Sequence, residues 1–453
     1  MTSKSLRERI TGQVIAAGDK GFAAINDGLI WNGRKPRNYA GLIVRAQNVQ
    51  DVQEAVRYAA ENGMTVSPRG GGHQFSGVAA RGELIIDLGG FTNFSIDIGR
   101  QTARIEPAVT NLKMAQELAR AGLAFPLGHC GSVTMSGYLL GGGIGWNSSE
   151  WGIACFSVEA FEVVLADGSL ILANETEHAD IFWAARGAGP GFFGIVTAYH
   201  LRLQKAPAIL TAVHVYPTAM ADEVAAWAER AVAKGLRNVE FTAKVAAPPP
   251  GMPVEGKVIE VIMTAFSPSD QEARAALAAI AEGAPAALHV MEAGPTPLEV
   301  LYGIIAQSMP DGLRYGVDSV WSDGSFGQVL ARLVAAVSAA PSPRSFALAS
   351  LRSPQAAPLG NGAFSSIGRI FAAFYGIWEE ASEDQVQIAW TRGVIETLLP
   401  ISVGSYIGYT DLDNPRRRLK THSDAVAVRL AALSAQHDPD GLFAGRVRVA
   451  LAA

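Results

Sequence analysis

Two side chains able to act as nucleophiles stand beside glycine-rich stretches in the first third of the chain. His73 directly follows Gly70-Gly71-Gly72, and Cys130 precedes Gly141-Gly142-Gly143. Consecutive glycines expose backbone N–H groups and permit positive φ, so the first loop is suited to wrap closely around a pyrophosphate. The alternatives are an incidental histidine in a flexible turn and a small, inert core cysteine. The pattern predicts a ligand that approaches the backbone near an imidazole and a thiol.

These glycines do not match the common nucleotide-binding fingerprints. No helix is expected directly after Gly72, as a Gly-x-Gly-x-x-Gly loop requires, and the Gly-Lys-Ser/Thr of a P-loop is absent. A third glycine-rich stretch, residues 182–197, is also compatible with a tightly turned hydrophobic core. Cys155, in Ile-Ala-Cys-Phe, is interpreted as a buried residue without a chemical role.

Alternating helices and strands position the glycine-rich stretches. Asn48 and Asp51 form a capping box with a shortened acid, which opens a helix, and Gly63 is expected to end that helix. The other predicted elements here are strands at 64–67, 84–86 and 102–106 and a helix at 111–121. The first of these strands leads straight into the first glycine loop. This arrangement predicts a mixed α/β unit.

From about Ala206 the composition changes, because glycine thins and alanine rises. Strands are predicted at 258–263, 346–351 and 369–378, and helices at 269–281 and 383–399. We place domain boundaries near 207 and 404. The last fifty residues are expected to return to the first domain.

Length and composition restrict the class of protein. The chain has 453 residues, 49% of them hydrophobic and 17% charged, which favours a large buried core over disorder. A formal net charge of −5 without any basic block argues against nucleic-acid binding. Two cysteines exclude a disulfide framework and a multi-thiolate zinc site, and no metal site is predicted. The charged first residues and the lack of an apolar run of about 18 residues predict a cytoplasmic protein with no membrane partner.

The ordered set of motifs resembles one family. Arg69–Gly77, Gly128–Trp146, Ala166–Gly168, Phe182-Trp183 and Gly194–Thr197 resemble the FAD-binding fold of the vanillyl-alcohol oxidase superfamily, with its PCMH-type FAD-binding domain. More narrowly, they are similar to the berberine bridge enzyme-like FAD-linked oxidases. The resemblance implies an α+β fold with a two-part FAD-binding domain, residues 1–207 and 405–453. It also implies a substrate cap, residues 208–404, with an antiparallel sheet backed by helices.

The resemblance assigns the two nucleophiles to the flavin. In the family, the matching histidine is bonded to the flavin 8α-methyl group and the matching cysteine to flavin C6, so His73 and Cys130 imply a bicovalent FAD. A singly attached flavin, with Cys130 merely packed nearby, is the alternative. The other matching cofactor-binding positions are Arg69, Gly70, Gly71, Gly72, Gln74, Gly77, Val133, Thr134, Ser136, Gly137, Tyr138, Gly141, Gly142, Ile144, Val196 and Tyr406.

A tyrosine pair near the C-terminus is similar to the family's Tyr-x-Asn-Tyr motif. Tyr409 matches the base that removes a substrate proton, Tyr406 is expected to pack on the flavin, and Gly408 replaces the asparagine. A phenol with a pKa of about 10 serves as a base only if its pKa is lowered or proton and hydride leave together. In a regular strand the two tyrosines would face opposite ways, so a bend is needed to bring both to the site.

An aromatic strand of the cap offers candidate substrate contacts. With a period of two, Phe374 and Trp378 are expected to face the flavin while Tyr375 faces away, although packing in the core is the alternative for both. No motif in the cap identifies a substrate.

The resemblance implies that the chain is an enzyme. The expected reaction oxidises a hydroxyl or C–N group of a small molecule, such as a secondary metabolite, sugar or alkaloid, by hydride transfer to flavin N5. Val133 matches the position where a small side chain accompanies use of O2, giving hydrogen peroxide. A dehydrogenase of the same fold and a catalytically silent flavin-binding protein are the alternatives. Oligomeric state is left open.

Overall fold

The computed structural model describes residues 3–36 and 40–444. The helices and strands up to residue 205 are α1 (Ser3–Arg7), β1 (Gln13–Ala16), α2 (Phe22–Gly28), β2 (Leu42–Arg45), α3 (Val49–Glu61), β3 (Val66–Arg69), β4 (Leu84–Asp87), β5 (Phe94–Asp97), β6 (Thr102–Ile105), α4 (Asn111–Arg120), β7 (Leu123–Ala124), α5 (Met135–Leu140), α6 (Ser148–Trp151), β8 (Val158–Val164), β9 (Leu170–Asn174), α7 (Ala179–Ala185), β10 (Ile195–Arg202) and β11 (Gln204–Lys205).

These strands form three small sheets. Their orders are β1-β2-β4-β3, β5-β6-β10-β8-β9 and β11-β7. In the first sheet β2 and β3 both run parallel to β4, so the carboxyl ends of β3 and β4 lie side by side. The first glycine loop leaves the sheet at this edge.

The predicted start and end of α3 are confirmed. The Asn48 side chain accepts a hydrogen bond from the Asp51 N–H at 2.9 Å, and Gly63 follows the helix with φ of 62°. Val52 and Val56 are fully buried on one face of the helix. The Asp51 carboxylate also accepts the N–H groups of three preceding residues, Thr11, Gly12 and Gln47. The cap therefore also anchors the chain that enters the sheet.

The remaining elements are β12 (Ala208–Pro217), α8 (Ala221–Val232), β13 (Val239–Ala246), β14 (Val258–Ser267), α9 (Asp270–Ala281), β15 (His289–Pro295), α10 (Leu298–Ser308), β16 (Arg314–Ser322), α11 (Phe326–Ser338), β17 (Phe346–Leu351), β18 (Ile370–Trp378), α12 (Asp384–Leu398), β19 (Ser402–Gly404) and α13 (Asp424–His437). β12 to β19 form one antiparallel sheet in the order β15-β12-β14-β13-β17-β18-β16-β19. None of the helices in the described ranges combines the length and apolar character of a membrane-spanning segment.

The two faces of this eight-stranded sheet have different partners. Helices α8, α9, α11 and α12 cover one face through buried side chains such as Trp227, Leu277 and Phe326. The opposite face carries Tyr315 and Tyr375, which pack with Phe75 from the first glycine loop. Alternation along each strand produces this division, because successive side chains point to opposite faces. The uncovered face therefore meets the glycine-rich loops.

The chain after β19 returns to the first half of the molecule. Gln74 donates its Nε2 hydrogen bond to the Thr410 carbonyl at 3.0 Å, and the Leu412 N–H donates to Ser76 Oγ at 2.9 Å. Phe443 adds an isolated parallel bridge to Val66 in β3. Residues 445–453 of the predicted returning segment lie outside the described residues.

Candidate active site

A cavity of about 430 Å³ lies between the uncovered face of the eight-stranded sheet and the glycine-rich loops. We call its first side, residues 70–74 and 128–144, the glycine-loop wall, and the uncovered sheet face the cap-sheet wall. Most candidate residues line it, namely Gly70, Gly71, Gly72, His73, Gln74, Cys130, Val133, Thr134, Ser136, Gly137, Tyr138, Gly141, Ile144, Val196, Tyr406 and Tyr409. A largely apolar cavity with a few convergent polar groups is typical of a small-molecule site.

The first glycine loop is packed so closely that only glycine fits. A Cβ on Gly70 would lie 1.9 Å from Ser136 Oγ, and a Cβ on Gly72, whose φ is +67°, would lie 1.9 Å from the Leu29 carbonyl oxygen. The backbone N–H groups of Gly70, Gly71 and Gly72 donate to no other group within residues 3–36 and 40–444. Free N–H groups on a concave loop are suited to bind an anion.

His73 presents a neutral imidazole to the cavity. Its ring stacks on Trp31 with centroids 5.0 Å apart. Burial lowers the pKa of His73 to about 4, against an opposing effect of Asp311. At neutral pH the ring therefore keeps an unprotonated nitrogen, which is the nucleophilic form.

Cys130 lies on a loop fixed by a buried asparagine. Asn111, at the start of α4, donates its Nδ2 to the Cys130 carbonyl at 3.0 Å and accepts the Gly128 N–H at 3.0 Å. The Cys130 Sγ lies 3.4 Å from Ser132 Oγ. Cys155 is fully buried, and burial raises the pKa of its thiol, in keeping with the absence of a role for it in the sequence analysis. Asn111 was missed because a single asparagine at a helix start carries no sequence signal for a loop 17 residues away.

Tyr406 and Tyr409 face the same cavity because the backbone bends between them. Ile407–Tyr409 form a 3₁₀ turn, and the Tyr409 N–H donates to the Tyr406 carbonyl at 3.0 Å. Residues three apart are superposed along such a turn, and the two ring centroids lie 5.5 Å apart. A Cβ on Gly408 would lie 2.6 Å from the Tyr406 ring, so any other residue at this position would require that ring to shift.

The Tyr409 hydroxyl is buried beside a second phenol. Burial raises the pKa of Tyr409, and a hydrogen bond donated by Tyr375 opposes that rise. The Tyr375 ring stacks on Phe346 with centroids 4.5 Å apart. No cation among the residues that shift this pKa compensates for burial, so Tyr409 is predominantly protonated at neutral pH.

Comparison with known proteins agrees with this geometry. The profile of the FAD binding domain matches residues 40–174. FAD-linked oxidoreductase nodO of Hypoxylon pulicicidum is 30% identical over 92% of this chain and 93% of its own length. The chain belongs to the FAD-linked oxidoreductases. This flavoenzyme also shares 37% identity over 199 residues, 44% of its length and 43% of the relative's, with (R)-6-hydroxynicotine oxidase of Paenarthrobacter nicotinovorans.

Solved structures share the fold over nearly the whole flavoenzyme. 6-Hydroxy-D-nicotine oxidase of Arthrobacter nicotinovorans superposes with a TM-score of 0.81 at 24% identity over 96% of both chains. Berberine bridge enzyme of Eschscholzia californica superposes with a TM-score of 0.82 at 18% identity over 97% of both chains. The predicted α+β fold of the vanillyl-alcohol oxidase type is confirmed.

The residues of the glycine-loop wall fit the FAD of this flavoenzyme. The free N–H groups of Gly70, Gly71 and Gly72 suit the pyrophosphate, because they offer donors where no side chain blocks approach. Gly137 faces open space, with no atom within 4 Å of its Cβ position. His73 and Cys130 face the same cavity from separate loops. The donor set and the available space both suit a dinucleotide.

Three predicted cofactor contacts lie outside the cavity of the flavoenzyme. Arg69 pairs with Asp87 at 3.1 Å and donates to the Leu29 carbonyl, so its guanidinium helps to hold the start of the first glycine loop in place. Gly77 packs against Pro36, and Gly142 packs beneath the Phe364 ring. Gly77 and Gly142 shape the wall without lining this cavity, whereas Arg69 lines a second cavity of about 320 Å³ that shares Gly70, Gly71, His73 and Thr134 with it.

The predicted substrate contacts Phe374 and Trp378 are wrong. Phe374 is fully buried against the helices, and Trp378 donates its Nε1 to Asp384 Oδ1 at 2.8 Å, beside α12. The period of two was correct but the faces were reversed, because Tyr375 faces the cavity. Alternation gives the two faces of a strand without telling which one meets the ligand.

The cap-sheet wall of the flavoenzyme carries charged residues that the sequence analysis missed. Glu240 Oε1 lies 2.7 Å from His129 Nε2, and Lys244 Nζ lies 3.4 Å from Glu260 Oε2. The His129 ring packs against Trp146 at 4.1 Å. Polar residues alternating with apolar ones along β13 were a signal that could have revealed this face.

Proposed function

We propose that this FAD-linked oxidoreductase is an oxidase whose FAD is attached through both His73 and Cys130. The single observation that carries the proposal is that these two nucleophiles, from loops 57 residues apart by their numbering, line one cavity with a free N–H cradle between them. Relatives named (R)-6-hydroxynicotine oxidase and xylooligosaccharide oxidase support an oxidase acting on a small molecule. We also propose that residues 1–207 and 405–453 form the FAD-binding domain and residues 208–404 the cap.

The bound FAD would supply the hydride acceptor, at flavin N5. The residues of the chain would first take part in attaching the flavin covalently. The unprotonated nitrogen of His73 is available for the bond to the flavin 8α-methyl group because burial keeps the imidazole neutral. Asn111 holds the Cys130 loop through two hydrogen bonds, which would keep the sulfur in place for the second bond.

Tyr409 would accept the substrate proton at its phenolic oxygen. Because burial raises its pKa, the reactive phenolate is a minor form at neutral pH, and the hydrogen bond from Tyr375 stabilises it. The substrate, a hydroxyl or C–N compound, loses two protons and two electrons in all. Transfer of both to O2 gives hydrogen peroxide, and the small side chain of Val133, on the cavity wall, supports O2 as acceptor.

Two measurements test this function. The wild type, His73→Ala, Cys130→Ala and the double variant are separated on a denaturing gel and viewed under ultraviolet light. Flavin fluorescence that migrates with the chain, and survives either single change but not both together, is the expected result. An unchanged flavin spectrum in Cys130→Ala contradicts the second attachment.

Hydrogen peroxide released in step with substrate oxidation distinguishes an oxidase from a dehydrogenase. The cytoplasmic location stays a prediction.

A further inference from the structure

Three side chains with a fixed positive charge line the cavity, and two of them have counter-charges. Arg237 pairs with Glu150 at 3.0 Å, and Lys244 pairs with Glu260 at 3.4 Å. The guanidinium of Arg352 forms no ion pair or hydrogen bond within the ranges 3–36 and 40–444. Arg352 therefore differs from these two cations in having no partner for its guanidinium among the described residues.

The position of Arg352 is fixed by the backbone. It directly follows β17, in which Leu351 pairs with Phe241 and with Ile370 on the two sides. Its own N–H donates to the Arg369 carbonyl at 2.9 Å. Because Phe241 pairs with Leu351, the β13–β17 register places Glu240 opposite Arg352. The Glu240 carboxylate, however, lies 2.7 Å from His129 Nε2. The acid that the strand register places opposite Arg352 is therefore already paired with His129.

Retaining a positive charge here is unfavourable without a ligand. Burial lowers the pKa of Arg352, and no neighbouring acid opposes that effect. A partly buried guanidinium forms its strongest bonds with a carboxylate or another anionic oxygen, often as a bidentate pair.

A second unpaired donor belongs to another residue of the cavity lining, Trp146. The Trp146 Nε1 is buried and has no hydrogen-bond partner among the described residues. Its ring packs on His129, the residue that binds Glu240. Trp146 therefore supports the residue that occupies Glu240, and Arg352 is the cavity-lining cation without an acceptor among the described residues.

We propose that Arg352 binds an anionic oxygen in this cavity. Two sources offer that chemistry: a carboxylate on the substrate, and the negative charge that the flavin ring gains when it is reduced or forms an adduct. The proposal rests on the proposed function only in requiring that FAD occupies this cavity. It is tested by binding to the oxidised, FAD-loaded protein, so it stands or fails independently of O2 use and of covalent attachment.

The first arm of the test uses 2-naphthoate and 2-naphthylmethanol, which share an aromatic body and differ in the charge of the attached group. Their dissociation constants are measured by calorimetry and by the change in flavin absorbance. The wild type is expected to prefer the carboxylate by about tenfold or more. Arg352→Gln is expected to abolish that preference, and Arg352→Lys to retain part of it. Arg237→Gln, which removes a cation already paired with Glu150, is the matched control and is expected to keep the preference within about twofold.

The second arm measures the affinity of the flavin for sulfite, whose adduct places a negative charge on the ring. A loss of about tenfold or more in Arg352→Gln, with no such loss in Arg237→Gln, identifies the flavin as the source. Lost carboxylate preference with unchanged sulfite affinity identifies the substrate. The proposal is overturned if Arg352→Gln matches Arg237→Gln in both arms, including the case in which the wild type binds the two naphthalenes equally or binds neither.

Discussion

The glycine-loop wall meets a ligand with backbone, whereas the cap-sheet wall meets it with side chains. On the first wall, Gly70 and Gly72 leave no room for a Cβ and present free N–H groups. On the second, Glu240, Lys244 and Tyr375 project from strands whose backbone is fully paired. A backbone contact constrains residue type severely, while a strand position accepts many side chains. The comparison explains why the glycine-loop wall restricts residue type more severely than the cap-sheet wall does.

The largest effect is expected where the two walls meet, at Tyr409. Tyr409→Phe removes the proton acceptor and is expected to lower the rate of anaerobic flavin reduction by a substrate about 10²–10⁴-fold. Because burial raises the pKa of Tyr409, the wild-type rate is expected to rise from pH 7 toward pH 10 without a plateau. Stopped-flow absorbance across this pH range checks both statements. A plateau near neutral pH, or an equal slope in Tyr409→Phe, would argue for another base.

The two faces of β18 can be separated by neighbouring substitutions. Phe374→Ala opens a void in the helix-side core and is expected to cost about 3–5 kcal/mol in the free energy of unfolding. Tyr375→Phe, on the cavity face, is expected to leave stability within about 1 kcal/mol and to slow flavin reduction by removing the hydrogen bond to Tyr409. Denaturant unfolding and stopped-flow reduction measure the two quantities. A kinetic effect of Phe374→Ala exceeding that of Tyr375→Phe would reverse the assignment of faces.

The backbone character of the glycine-loop wall is tested at Gly72. Gly72→Ala forces a Cβ onto a residue with φ of +67° and toward the Leu29 carbonyl, so a loss of about 1–3 kcal/mol in stability and a reduced FAD content are expected. Gly18→Ala is the control, since no atom lies within 4 Å of its Cβ position. Flavin absorbance per chain and thermal unfolding are the measurements. Full FAD content in Gly72→Ala would show that the loop tolerates a side chain.

The smallest effect is expected for the hydrogen bond that joins the two walls. Glu240→Gln weakens the half-buried hydrogen bond between Glu240 and His129, and we expect a loss of about 1 kcal/mol in stability. Glu379→Gln breaks the exposed pair with Arg344 and is expected to cost less than about 0.5 kcal/mol. Chemical denaturation of both variants makes the comparison. Equal losses would mean that the link between the walls adds nothing beyond a surface pair.

Local rules were sufficient for much of the fold. The Asn48 cap, the Gly63 stop and the strands at 258–263, 346–351 and 369–378 were predicted because capping chemistry and period-two alternation act over a few residues. Asn111, Glu240 and Arg352 were not, since their importance comes from partners far along the chain. Phe374 was assigned to the wrong face because alternation leaves the choice of face open.

By itself the sequence determined the family and the order of the glycine-rich loops that face the cavity, because positions without room for a Cβ require glycine. Only the tertiary structure decided which face of β18 meets the ligand, how a 3₁₀ turn brings Tyr406 and Tyr409 together, and which cavity cation lacks a counter-charge. The physical reason is the separation along the chain of the groups that interact. Backbone conformation is set by neighbours in sequence, whereas burial, pKa and charge pairing depend on groups that only folding brings together.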